Sequence, residues 1–218
     1  MEEPYRLGLV STTRSGSTYF RRWLCQKYGL WDSASWLKTN PYEKIAEAPF
    51  ANKHHILKIL THYLPTEKIY GVLKEFDTVW LYRNDTLKQF LSHVTRIRTK
   101  VNLVYKEEEI SFLNNSIEDN SLVAEHSEYI TFRNRLEHFW DLFYSSKSGT
   151  LVEYERFVED PLYVGWEIME DYNLEWIMWE SMEPESHGWP NIKMPLKLSI
   201  DYEKKFKNID EIKEWIDV

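Results

Sequence analysis

Cysteine occurs once in the 218 residues, at Cys25. That excludes an intrachain disulfide and any zinc site built from several thiolates. No run of about 18 apolar residues is present, so no transmembrane helix is expected. The opening MEEPYRLGLV has neither a basic region nor a long apolar core. It does not read as a secretory signal, and the protein is expected in a cytoplasm. There the Asn-x-Ser/Thr matches at Asn84 and Asn114 are coincidental. Positive charge is also short, with 27 Lys and Arg against 35 Asp and Glu, a net charge of −8 and a pI near 5.5. Such a balance argues against non-specific binding to nucleic acid or anionic membranes. Internal repeats and low-complexity tracts are missing. Alanine is scarce while Lys, Asn, Ile and Glu are abundant, which points to an AT-rich genome, bacterial or viral.

What is present describes a globular chain. Hydrophobic residues make up 43% and charged residues 28%, enough apolar material to bury a core. The length suits one domain spanning 1–218. Aromatic residues reach 16%, with ten Trp; most suit the core, and a surplus could line a pocket for a sugar or lipid-like acceptor. Trp166–Trp179 is one such stretch.

The order of elements is legible. Arg6–Thr12 is a short apolar run and reads as a buried parallel strand. The turn TTRSGST follows, then a helix from Ser17 to about Tyr28, with Phe20, Trp23, Leu24 and Tyr28 on one face and Gly29 as its stop. His54–Leu60 reads as a second strand, Pro65–Phe76 as a helix and Thr78–Arg83 as a third strand. Asp85 is placed to cap a helix to about Arg98, with Leu87, Phe90, Leu91 and Val94 as its apolar face. Glu128–Tyr144 is a long helix. Thr150–Tyr154 is a fourth strand, with a helix from about Val158. This alternation predicts an α/β, three-layer, P-loop-like fold: a central parallel sheet flanked by helices. Residues 100–127 have no clean period and are expected to form a lid or substrate loop. Residues 183–218 are expected to wrap the surface and end in a helix at Asp210–Trp215.

Three groups of residues carry chemistry. A Gly turn between a strand end and a helix start aims backbone N–H groups at one point, where the helix dipole is positive. In STTRSGST, Arg14 adds a cation and Ser15, Ser17 and Thr18 add hydroxyls, which together suit a phosphate. The loop is not a Walker A motif, because Ser17 stands after Gly16 where Lys belongs. The strand TVWLYR ends on Arg83 rather than on a metal-holding carboxylate, which suggests a second phosphate instead of a metal. On the following helix Gln89, Ser92 and Arg96 share a polar face. Arg83 and Ser92 are both expected at the crevice outside the strand ends. Finally, Lys58 stands near the end of a buried strand and His62 lies four residues on. These are a cation and a candidate proton acceptor. His54 and His55 alternate across the strand and read as structural.

These residues resemble the PAPS-dependent sulfotransferases. STTRSGST is similar to that family's 5′-phosphosulfate loop. VWLYRNDTLKQFLS is similar to its 3′-phosphate motif, and the Gln-x-x-Ser form resembles the bacterial trehalose-sulfotransferase branch. LVEYERFVEDP is similar to its Y-E-D-L…D-P segment. The three occur in the family's order over residues 7–161. The resemblance implies that Thr13, Arg14, Ser15, Gly16, Ser17 and Thr18 hold the 5′-phosphosulfate, while Arg83 and Ser92 hold the 3′-phosphate. Lys58, His62 and Arg14 would be catalytic. PAPS would be the donor and PAP the product, with a small-molecule or glycan acceptor and no metal. Tyr154 and Glu155 match the third motif and are expected to pack. The family's Gly and Pro in the first loop are Ser11 and Thr13 here. Asn84 replaces a second arginine, and Ala34–Leu37 lacks the bacterial branch's Glu base. The base therefore stays open between His62, Asp32 and another acid. Two other readings remain: a P-loop-like nucleotide or small-molecule kinase, and a catalytically silent PAP-binding module.

Overall fold

The apolar run after Tyr5 forms β1 (Arg6–Ser11), the central strand of a five-stranded parallel sheet. A computed structural model describes residues 4–33, 53–101, 107–172 and 200–217. After β1 come α1 (Ser17–Tyr28), β2 (Trp31–Asp32), β3 (His55–Leu60), α2 (Thr66–Leu73), β4 (Asp77–Tyr82) and α3 (Thr86–Thr99). They are followed by α4 (Glu107–Ser116), α5 (His126–Ser146), β5 (Thr150–Glu153), α6 (Tyr154–Glu159) and α7 (Pro161–Asp171). The C-terminal part adds α8 (Tyr202–Lys205) and α9 (Ile209–Asp217). The sheet order is β2-β3-β1-β4-β5, and every pairing is parallel.

Strand side chains alternate between two faces, and the two faces bury different helices. Leu7 and Leu9 of β1, with Ile56, Val79 and Leu81, meet α1 through Phe20 and Leu24 and α6–α7 through Phe157, Val164 and Ile168. Val10, Leu57, Ile59 and Trp80 meet α2 through Ile69 and Val72 and α5 through Phe139 and Leu142. The expected α/β layering, a parallel sheet with helices on both faces, is therefore present. A third core joins Phe90, Leu91 and Val94 of α3 to Phe132 of α5 and to Phe206 and Ile212 of the C-terminal part.

Some expectations shift. β2 was not anticipated, because two residues are too few to show a period; it pairs with the start of β3. Residues 100–127 contain α4, whose Leu113 is buried, as is Ile117 just beyond it. Lys205 holds the end of α4 by donating to the carbonyls of Asn114 (3.0 Å) and Ile117 (2.7 Å). α5 begins at His126 rather than Glu128, because Glu125 and Glu128 form a reciprocal capping box. A Glu cap is outside the usual capping set. The last strand stops at Glu153, and Tyr154 opens a short helix before Asp160 caps α7 by accepting from Tyr163 N at 3.0 Å. The Ala34–Leu37 segment, residues 183–199 and Trp179 lie outside the described residues.

Candidate functional site at the ends of β1 and β4

Strands β1 and β4 are neighbours, yet their connections leave in opposite directions: β1 leads to β2, and β4 leads to β5. Such a divergence opens a crevice beyond the carboxyl ends of the two strands. The Thr12–Thr18 loop occupies that place. Two left-handed residues make its turn, Arg14 (φ 60°) and Gly16 (φ 81°). A Cβ on Gly16 would run into the ring of Tyr154, so this position needs glycine both for its backbone and for its neighbour. Ser15 Oγ donates to the Thr12 carbonyl at 3.0 Å and tightens the turn. No side chain caps the start of α1, and its first turn holds no acidic residue. The positive end of α1 therefore meets the loop with no carboxylate in its own first turn.

Helix α3 holds the loop in place. Gln89 is fully buried, and its Nε2 donates to Thr12 Oγ1 and to the Thr13 carbonyl, both at 2.8 Å. Arg14 Nε donates to Ser92 Oγ at 2.9 Å, and Tyr202 OH donates to the same oxygen at 3.4 Å. Burial lowers the pKa of Arg14 from its ordinary value, although a guanidinium remains charged there. Of the α3 face read as polar, Gln89 and Ser92 are buried and bonded to the loop, whereas Arg96 is half-buried.

Sequence order paired Ser92 with Arg83, but the structure pairs Ser92 with Arg14. Arg83 instead lies with Nε 3.4 Å from Glu155 Oε1, an ion pair without hydrogen-bond alignment. Its guanidinium stands over the Tyr154 ring, 5.6 Å from the centroid. Glu155 also accepts from Asn84 N at 3.0 Å and Asp85 N at 3.4 Å. Tyr154 packs as expected, whereas Glu155 does more: its carboxylate collects two backbone donors and one cation ahead of α3.

Lys58 faces the α1 side of the sheet, and its Nζ donates to Thr18 Oγ1 at 3.2 Å. It thereby joins the first loop. His62 follows two residues after β3, its ring tilted against Tyr63 with centroids 4.3 Å apart. Burial, then the charge of Arg135, holds its pKa down at about 4, so its imidazole is neutral at pH 7. Asp32 lies at the end of β2 and is ion-paired to Arg21 at 3.0 Å. His54 and His55 are structural: His54 Nδ1 accepts from Tyr5 N at 2.9 Å, and His55 is buried. Thr13, Ser17 and Thr18 complete the loop. Sequence reasoning missed His93 and Arg135, which stand near His62. The neighbour of Ser92 on α3 was a signal for the first; nothing local marked the second. Among the described residues no group of three or more His, Cys, Asp or Glu could hold a metal ion. Among them, no helix is long and apolar enough to cross a membrane.

The fold and crevice define a three-layer α/β protein, a parallel sheet between two layers of helices, with a Gly turn at the end of its first strand. No family model and no curated protein sequence matches the chain. Among solved structures, it is similar to a sulfotransferase from Alicyclobacillus acidocaldarius, with 12% identity, 78% of this chain and 81% of that chain covered, and a TM-score of 0.45.

Proposed function

We propose that the protein is a PAPS-dependent sulfotransferase acting on a hydroxyl acceptor. The observation that carries this reading is the clamp of Thr12–Thr18 onto α3 through Arg14–Ser92 and Gln89–Thr13. It sets an uncapped helix N-terminus, the Arg14 cation and the two phosphate-type motifs of the sequence around one crevice. The residues fit a phosphosulfate: the first turn of α1 holds no acidic residue, and Lys58 reaches the same turn through Thr18.

When bound, PAPS supplies a sulfonate on a phosphate leaving group. The loop N–H groups, Ser15, Ser17 and Thr18 would bind the 5′ end. Arg14 and Lys58 would neutralise charge on the leaving oxygen as it develops. Arg83 and Ser92 are assigned to the 3′-phosphate, and Arg83 would exchange Glu155 for it. His62 is the candidate acceptor of the hydroxyl proton. It is neutral at pH 7 and so able to take a proton, but at about 4 its pKa makes it a weak base. A bound polyanion nearby would raise that pKa toward the working range.

Thermal shift with PAP, AMP and ATP tests the donor class. PAP is expected to raise the melting temperature, and AMP, which lacks the 3′-phosphate, to raise it less. Stabilisation by Mg²⁺-ATP without any response to PAP would instead make the protein a kinase-type nucleotide binder. Calorimetry on Arg83→Ala tests the 3′ assignment, which fails if PAP affinity is unchanged. Tight PAP binding with no transfer from PAPS to any hydroxyl acceptor would leave a silent binding module.

A further inference from the structure

The C-terminal part reaches the Thr12–Thr18 loop through one hydroxyl. Tyr202 opens α8 and belongs to the third core, with Phe90, Leu91 and Phe206. The backbone that follows it is fixed from another direction. Asn120 N donates to the Lys204 carbonyl at 2.8 Å, Leu122 N to the Lys205 carbonyl at 2.9 Å, and Lys207 N to the Leu122 carbonyl at 2.8 Å. The Tyr202 hydroxyl thus has a place that the loop does not set, and from there it donates to Ser92 Oγ at 3.4 Å. Arg14 Nε donates to the same oxygen at 2.9 Å. A serine hydroxyl has two lone pairs and one proton, and an arginine N–H can only donate. Arg14 therefore takes one lone pair of Ser92, and Tyr202 takes the other. What Ser92 has left to offer is its proton, and among the described residues no acceptor takes it. Ser92 is buried, at 4% exposed. A buried donor without an acceptor costs free energy, and an oxyanion arriving beside Arg14 removes that cost.

We propose that Tyr202 is a positioning residue of the anion site: by filling the second lone pair of Ser92 it commits that hydroxyl to donating, which is the polarity an unprotonated phosphate oxygen needs. The proposal rests on the phosphate reading of the loop, and not on which nucleotide fills it. At 3.4 Å the Tyr202 bond is long for O–H···O. An anion that draws on the Ser92 proton makes the Ser92 oxygen a stronger acceptor, so the ligand and Tyr202 reinforce one another. An oxygen that carries its own proton is disfavoured at Ser92, because two donors would meet there.

The test is a double-mutant cycle on the full chain, with PAP affinity read by calorimetry. Tyr202→Phe keeps the ring in the core and removes only the hydroxyl, so the fold is expected to hold. It should weaken PAP binding about fivefold. Ser92→Ala should weaken it about tenfold or more, which is ~1.4 kcal/mol. The double variant should bind no more weakly than Ser92→Ala, because Tyr202 acts through that hydroxyl. A residue that serves only for packing gives a lower melting temperature, and its effect multiplies with that of Ser92→Ala. Unchanged affinity in Tyr202→Phe, or multiplied losses in the double variant, would overturn the proposal. Tighter binding by Tyr202→Phe would overturn it too, because Ser92 would then be giving its proton to Tyr202. If the parent chain binds ATP or inorganic pyrophosphate but not PAP, the sulfotransferase reading fails, and the same cycle measured with that ligand decides the role of Tyr202. A parent chain that binds none of the three overturns both.

Discussion

Single atoms decide several features of the crevice. Gly16 is a left-handed residue pressed against Tyr154, and that ring in turn lies beneath Arg83. Gly16→Ala is therefore expected to cost about 1–3 kcal/mol of backbone strain. It should also push Tyr154 aside and disturb Arg83. A urea unfolding midpoint measures the first effect and PAP calorimetry the second; a variant with unchanged midpoint and unchanged affinity would contradict this account. At the same scale, Arg14 shows why motif order does not name partners. Its left-handed backbone turns the side chain toward α3, where it takes Ser92.

At the scale of elements, the start of α3 acts as a socket. Asn84 N, Asp85 N and the Arg83 guanidinium converge on one carboxylate, Glu155, carried by α6. A phosphate would seek the same donors. Glu155→Gln keeps an acceptor for the two N–H groups and removes the negative charge. The expected result is several-fold tighter PAP binding, because Arg83 is released and an anion no longer meets a carboxylate. Weaker PAP binding would mean that Glu155 orders the socket rather than competing for it. The strand–loop–helix order from β1 to α3 was legible, because apolar runs, a Gly turn and Asp85 as a cap are local signals. The Asp85 cap is present, accepting from Lys88 N at 2.8 Å. β2 and α4 were not legible. The first is too short to have a period, and the second has an apolar face completed by residues about 90 positions away, through Lys205 and Phe206.

For the whole molecule, charge placement matters more than its total. His62 and His93 both have pKa values near 4 in the folded chain, first because of burial and next because of Arg135. In the unfolded chain each returns to about 6.5. Between those values the unfolded state binds more protons, so their contribution to stability is complete above pH 6.5 and is lost as pH falls toward 4. The melting temperature should drop through that window, by roughly 2–4 °C for each kcal/mol lost. His93→Leu should flatten the slope, and a slope identical to the parent protein would show that His93 is not held neutral.

The sequence alone determined the layering and the loop. A parallel sheet needs apolar strands separated by helices, and a phosphate-type turn needs Gly between a strand and a helix. Both conditions are local and can be read in order along the chain. Only the tertiary structure decided who meets whom. Arg14 met Ser92, Arg83 met Glu155, and His93 came beside His62 and Arg135, because the strand order 2-3-1-4-5 brings β3, the β1 loop and α3 to one edge. Those pairs lie from 31 positions apart (His62 and His93) to 78 (Arg14 and Ser92), and no spacing within one segment encodes them.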